Sequence, residues 1–163
     1  MSTITTTFQV VPLEAEAFAS LAELSPAELE ARGVQRVVAD SKPGFPCRVS
    51  LCDAEPGESV WLLTHTHHDV PGPYRASGPI YVRERAVTAE LAAGQVPELL
   101  RHRLLSLRAY DARGMLAMAD VCEGRSLEPL LTEMFAESAV AYVHVHFAKP
   151  GCFSCRIERV PAG

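Results

Sequence analysis

LLSLRAYDARGMLAMADV, residues 104–121, decides the fold. Leu104–Tyr110 and Met115–Val121 flank Asp111-Ala112-Arg113-Gly114, a compact turn ending on glycine, so the stretch reads as a β-hairpin. Downstream, Ser126 is placed to cap a helix reaching to about Glu137, with Leu127, Leu130, Leu131, Met134 and Phe135 on one face. Val140–Phe147 alternates in character as a strand does. Lys149-Pro150-Gly151 turns it, and Phe153–Val160 is the last strand.

Upstream, the β-branched run Ile4–Val11 predicts an opening strand. Leu13–Leu24 carries Phe18, Leu21 and Leu24 at helical spacing. Ser25, Pro26 and Glu28 form a capping-box signature, and Gly33 stops the helix that follows it. Gln35–Asp40 and Cys47–Cys52 read as strands around the turn Ser41–Gly44, which predicts a hairpin over Val34–Leu51. After a second turn, Asp53–Glu58, Ser59–Thr66 is a strand. His67–Pro79, rich in proline and glycine, is expected to be a loop, and Ile80–Arg85 a strand. Thr88–Gly94 and Pro97–His102 each suit a short helical turn.

Strands interrupted by a few helices, without regular βαβα alternation, predict an α+β fold. The expectation is a single domain over residues 1–163, with one mostly antiparallel sheet or open barrel and two or three packed helices.

With 163 residues, 48% hydrophobic and 21% charged, the chain can bury a core without disulfides or a structural metal. Fifteen basic against twenty acidic residues give −5, a charge that disfavours nucleic acid as a partner. No apolar run approaches the length of a membrane span, and MSTITTTFQVVPLEAEA (1–17) has no basic and apolar leader pattern. Five cysteines, an odd number, then favour a reducing, cytoplasmic setting with free thiols, each read by default as a small buried residue, Cys52 and Cys122 in particular.

The chemistry concentrates in two histidine clusters: His65, His67 and His68, and His144 with His146. Residues i and i+2 of a strand share a face, so Val-His-Val-His puts His144 and His146 opposite Val143 and Val145. Neighbouring neutral imidazoles can hold zinc, iron, copper or nickel, or can exchange protons. The plainer alternative is an exposed strand face that tolerates histidine.

Several short patterns compete. LLTHTHHD (62–69) has the H-x-H-x-D of metallo-β-lactamase-fold hydrolases, but Val70 stands where another histidine is needed and Pro71-Gly72-Pro73 replaces the expected helix. The H-x-H pairs lack the nearby glutamate of a cupin. Cys152-Phe-Ser-Cys155 lacks the following helix that activates a redox thiol, and a zinc site made of His144, His146, Cys152 and Cys155 lacks a second C-x-x-C. Tyr74, Arg75 and Ser77 form a polar loop suited to a carboxylate or phosphate. Lys149 either points into the same site or into solvent. Arg108 and Asp111 are expected to pair at the hairpin end. KPGFPCRV (42–49) echoes KPGCFSCRI (149–157) with one extra residue. Either two hairpins share turn chemistry, or a pseudo-symmetric pair frames one site.

KPGFPCRVSLCDAEPGE (42–58), PYRASGPIYVRE (73–84), LLSLRAYDARGM (104–115) and AYVHVHFAKPGC (141–152) together resemble the DUF1203 family of bacterial proteins. The resemblance implies a site pattern rather than a reaction: His67, Tyr74, Arg75, Ser77, Arg108, Asp111, His144, His146, Lys149 and Cys152. It does not call for His65, His68 or Cys155. The expectation is a small-molecule enzyme with His67, His144 and His146 as catalytic residues and as ligands to a divalent metal (zinc, iron or copper). Arg75 anchors an anionic group with Tyr74, Ser77 and Lys149, and Cys47 or Cys152 adds a thiol. The alternatives are a non-catalytic binding module for a small acidic ligand, or an interaction domain. A homo-oligomer stays open.

Overall fold

The computed structural model describes residues 7–160. Its strands are β1 (Thr7–Val11), β2 (Gln35–Val38), β3 (Ser59–His68), β4 (Ala76–Arg83), β5 (Leu104–Tyr110), β6 (Leu116–Glu123), β7 (Tyr142–Phe147) and β8 (Phe153–Val160). The α-helices are α1 (Pro26–Ala31), α2 (Glu98–Arg101) and α3 (Leu127–Ala136). The fold is α+β, with two antiparallel sheets, neither closed into a barrel. A five-stranded sheet runs β1-β8-β7-β5-β6 and a three-stranded sheet runs β2-β3-β4. No helix among the described residues is long and apolar enough to cross a membrane.

Strand alternation divides the larger sheet into two chemically distinct faces. Leu105, Leu107, Ala109, Val143, Val145 and Ile157 lie on one face and pack against the buried side of α3, which presents Leu127, Leu130, Leu131, Met134 and Phe135. The opposite face carries Ser106, Arg108 and Tyr110 of β5, directly across from His146, His144 and Tyr142 of β7. A second core under the smaller sheet gathers Phe18, Leu21, Leu29, Val34, Cys47, Val49, Trp61, Ile80 and Val82.

The β5–β6 hairpin forms as expected, with Asp111 accepting from the backbone N–H groups of Arg113 and Met115. Its salt-bridge partner is Arg113, not Arg108. Ser25 caps α1 by accepting from the Glu28 N–H, and Gly33 follows with φ +71°. Of the opening strand, Thr7–Val11 is present and pairs with β8, while residues 4–6 lie outside the described region.

Several expectations are corrected. Leu13–Leu24 forms two 3₁₀ turns, Ala15–Ala17 and Ala19–Glu23; the three-residue spacing of Phe18, Leu21 and Leu24 fits that period. The Val34–Leu51 hairpin does not exist, because β2 pairs with β3 instead. Residues 47–52 are a turn rather than a strand: the Leu51 N–H donates to the Cys47 carbonyl, and Leu51 adopts φ +53°. β3 continues through His68 and β4 begins at Ala76, so the loop shrinks to residues 69–75. Pro79 sits inside β4, which is an edge strand and tolerates the missing donor. Residues 88–94 are irregular, tied by Ala89 N–H to the Val49 carbonyl and Gly94 N–H to the Phe8 carbonyl. Ser126 makes no side-chain cap, because a 3₁₀ turn, Gly124–Ser126, leads into α3.

Candidate functional site

The polar face of the larger sheet is not left to solvent. His144 and His146 are 2% and 1% exposed, because the end of β3 lies against them. Between His65 and His68 the β3–β4 register shifts. Such a bulge lets consecutive side chains turn toward the same neighbour. His67 therefore reaches His144 and His146, with ring centres at 6.2 and 5.0 Å, while His68 reaches His144 at 5.0 Å and Tyr110 at 4.0 Å. His144 and His146 stand 6.5 Å apart. Phe153, the first residue of β8, stacks flat on His67 at 5.2 Å and edge-on to His144 at 5.0 Å. His65 stays out of the cluster, edge-on to Phe18 of the second core.

Hydrogen bonds fix two tautomers. The Tyr74 carbonyl can only accept, so His68 Nδ1 carries a proton and donates to it at 2.8 Å. In the neutral ring Nε2 is then bare and accepts from the Tyr142 hydroxyl at 2.6 Å. His146 Nδ1 likewise donates to the Gly151 carbonyl at 3.0 Å, which leaves Nε2 as the lone-pair nitrogen. That nitrogen, His144 Nδ1 and His67 Nδ1 are all buried without a hydrogen-bond partner among the described residues. Buried polar atoms are rarely left so.

The cluster is electrostatically neutral. Burial is the main cause that lowers all three imidazoles, His67 to about 4, His144 to about 2 and His146 to about 4. Neighbouring imidazoles add to the effect at all three, and Arg108 adds to it at His67 and His146. Arg108 faces His144 across the β5–β7 ladder. Bases this weak are poor proton acceptors near pH 7, but a neutral imidazole is the form that ligates or accepts a hydrogen bond. Among the described residues, no group of three or more His, Cys, Asp or Glu stands ready arranged to hold a metal ion.

The other candidates divide. Tyr74 meets the cluster through its carbonyl and sets its ring edge-on to Tyr110 at 6.2 Å. Arg75 is exposed and paired with the exposed Asp69, so it does not reach the imidazoles. Ser77 is exposed and shares a hydrogen bond with Thr66. Cys47 is fully buried in the second core, where it accepts from the Arg83 N–H. Cys155 is buried in the main core, its thiol raised by burial to about 12. Lys149 and Cys152 line a cavity to which none of the clustered histidines contributes. The sequence places His68 in the first histidine cluster without a role, and Arg48 and Phe153 only within the two echoing stretches. It assigns Tyr110 and Tyr142 to no site, although their alternation with Arg108 and His144 is the signal for them.

The family model described as "Protein of unknown function (DUF1203)" matches residues 44–159, well over half of the chain. No curated protein and no solved structure matches the chain.

Proposed function

The chain belongs to the DUF1203 family, and from that premise we propose that it is a small-molecule enzyme whose reactive centre is the buried cluster of His67, His144 and His146. The observation that carries the proposal is the set of three buried imidazole nitrogens without partners, contributed by two different sheets. Leaving each unpaired costs about 1–3 kcal/mol, so the cluster is built for a partner that is not a protein atom.

A divalent zinc, iron or copper ion fits the donor chemistry, since all three imidazoles are neutral. Nitrogens at about 2.1 Å from one ion set ring centres ~5 Å apart. One observed separation is 5.0 Å, and the other two, 6.2 and 6.5 Å, must contract by side-chain rotation. A bound ion would supply Lewis acidity and a water of lowered pKa. The chain's own residues do the rest. The Gly151 carbonyl fixes the His146 tautomer, Phe153 holds the plane of the His67 ring, and the covering β3 shields His144 and His146 from bulk water.

The test is elemental analysis of untagged protein, before and after exposure to zinc, iron or copper, beside His144→Ala/His146→Ala checked for folding by circular dichroism. Near-stoichiometric metal, lost in the folded double variant, is the expected result. No uptake of any of the three would overturn the metal assignment and leave a metal-free pocket for a ligand that donates hydrogen bonds.

A further inference from the structure

Apart from the imidazole cluster, a cavity of about 620 Å³ opens between the β3–β4 pair and the β7–β8 turn. Its volume is that of a small-molecule site. Among the described residues its lining holds Arg48, Arg103, Lys149 and His102 and no acidic residue, in a chain whose acids outnumber its bases. The remaining walls are largely apolar, with Phe147, Leu104, Ile80 and Leu62 among them.

Two guanidinium groups stand against the Phe147 ring, Arg48 at 5.1 Å and Arg103 at 5.0 Å from its centre. They are neutralised unequally. Arg103 is held by both carboxylate oxygens of Asp53, at 2.6 and 3.0 Å. Arg48 is 1% exposed and has no carboxylate partner among the described residues. Its partners are the Phe153 carbonyl at 2.7 Å, the Pro46 carbonyl at 2.6 Å and Cys152 Sγ at 3.0 Å. Burial is the main cause that pushes the Arg48 pKa down, outweighing the opposing effect of the Cys152 and Cys47 sulfurs, and the Arg103 charge adds a smaller push in the same direction. A buried cation without a counter-charge is costly unless something else supplies one.

The two echoing stretches of sequence meet here. Gly44, Pro46 and Arg48 come from the first, Lys149, Pro150 and Cys152 from the second, and both line the cavity. The first is not a hairpin, yet the Arg48 side chain bonds to both stretches and ties them together. The pair therefore frames one site.

We propose that this cavity binds a small organic anion, its acidic head, carboxylate or phosphate, on Arg48 and Lys149 and its apolar body against Phe147 and Leu104. Three cations face one carboxylate, Asp53, so the site carries an excess of two positive charges before His102 is counted. Either acidic group meets that charge, and an apolar body suits the walls.

Cys152 lines the cavity and reports on it; Cys52, exposed rather than buried as expected, lies outside the lining, within range of the Lys42 and Arg83 charges, and serves as the comparison thiol. Iodoacetate and iodoacetamide alkylate a thiolate by the same displacement: the S–C bond forms, iodide leaves and the thiol proton goes to water. Only the first reagent is an anion. Alkylation is followed at each cysteine by peptide mass spectrometry. The expected iodoacetate-to-iodoacetamide rate ratio is about tenfold higher at Cys152 than at Cys52. Benzoate or phenyl phosphate should slow iodoacetamide at Cys152 alone, and the stronger of the two identifies the head group. Lys149→Gln should lower the ratio and Lys149→Arg should keep it. Equal ratios at both cysteines would overturn the proposal, as would benzamide protecting as well as benzoate. Because Lys149 is outside the imidazole cluster, metal uptake in Lys149→Gln stays as in the parent, which separates this proposal from that of the reactive centre.

Discussion

The Tyr142 hydroxyl and His68 Nε2 stand 2.6 Å apart, a buried hydrogen bond joining β7 of the larger sheet to β3 of the smaller one. His68 is 2% exposed and its other nitrogen is committed to the Tyr74 carbonyl, so no second donor replaces the tyrosine. Tyr142→Phe should therefore leave a bare nitrogen and cost about 1–3 kcal/mol. Urea denaturation measures it. A loss below about 0.5 kcal/mol would mean that water reaches His68.

The legible parts of this fold are those whose causes are local. The hairpin over residues 104–121, the buried face of α3 and the shared face of His144 and His146 all follow from period 2 or period 3.6. What failed was set by distant partners. Residues 47–52 alternate like a strand, but Cys47 bridges to Tyr81 and the Arg48 N–H donates to the Tyr81 carbonyl, so β2 is left to pair with β3. Strict alternation separates His67 from His68, and only the bulge brings both to the larger sheet. Arg75 sits in the loop that composition favours for an anion site. The cavity is lined instead by Arg103 and Arg48, and the Phe153 partner of Arg48 is 105 residues away. Charge and loop composition point to exposed arginines, whereas burial of an arginine is a tertiary fact.

Asp53 makes stability depend on acid. Burial by itself raises its carboxyl, but hydrogen bonds and charge from Arg103 outweigh burial and hold the group below the usual carboxylate range. In the unfolded chain the group returns to about 3.9. Between the two values the unfolded state binds the extra proton, so this contribution is full above pH 4 and drains as pH falls through the folded value. Urea midpoints measured from pH 6 to pH 2.5 should fall more steeply in the parent protein than in Asp53→Asn. Parallel curves would mean that the pair contributes nothing in acid.

Gly124 permits a close approach at the entry to α3. Its N–H donates to the Arg103 carbonyl at 2.9 Å, and a Cβ would overlap the Leu100 carbonyl oxygen. Backbone cannot move aside as a flexible side chain does, so Gly124→Ala should destabilise by about 3 kcal/mol. Because Leu100 and Arg103 flank the end of α2, the damage should also reach the Arg103–Asp53 pair. Thermal unfolding tests the first point and the acid dependence of stability tests the second.

Arg75 gives the opposite expectation. Its side chain and that of Asp69 are exposed at 56% and 73%, and exposed ion pairs contribute about 0–1 kcal/mol. Arg75→Ala should leave the urea midpoint within about 0.5 kcal/mol of the parent. It should also leave the alkylation preference at Cys152 unchanged, since the cavity is lined by Arg48 and Lys149 and not by Arg75. The 69–75 loop contacts the Tyr110 and Tyr142 end of the larger sheet, whereas the cavity lies at the Leu104 and Phe147 end. A loss of that preference in Arg75→Ala would therefore count against assigning the anion to Arg48 and Lys149.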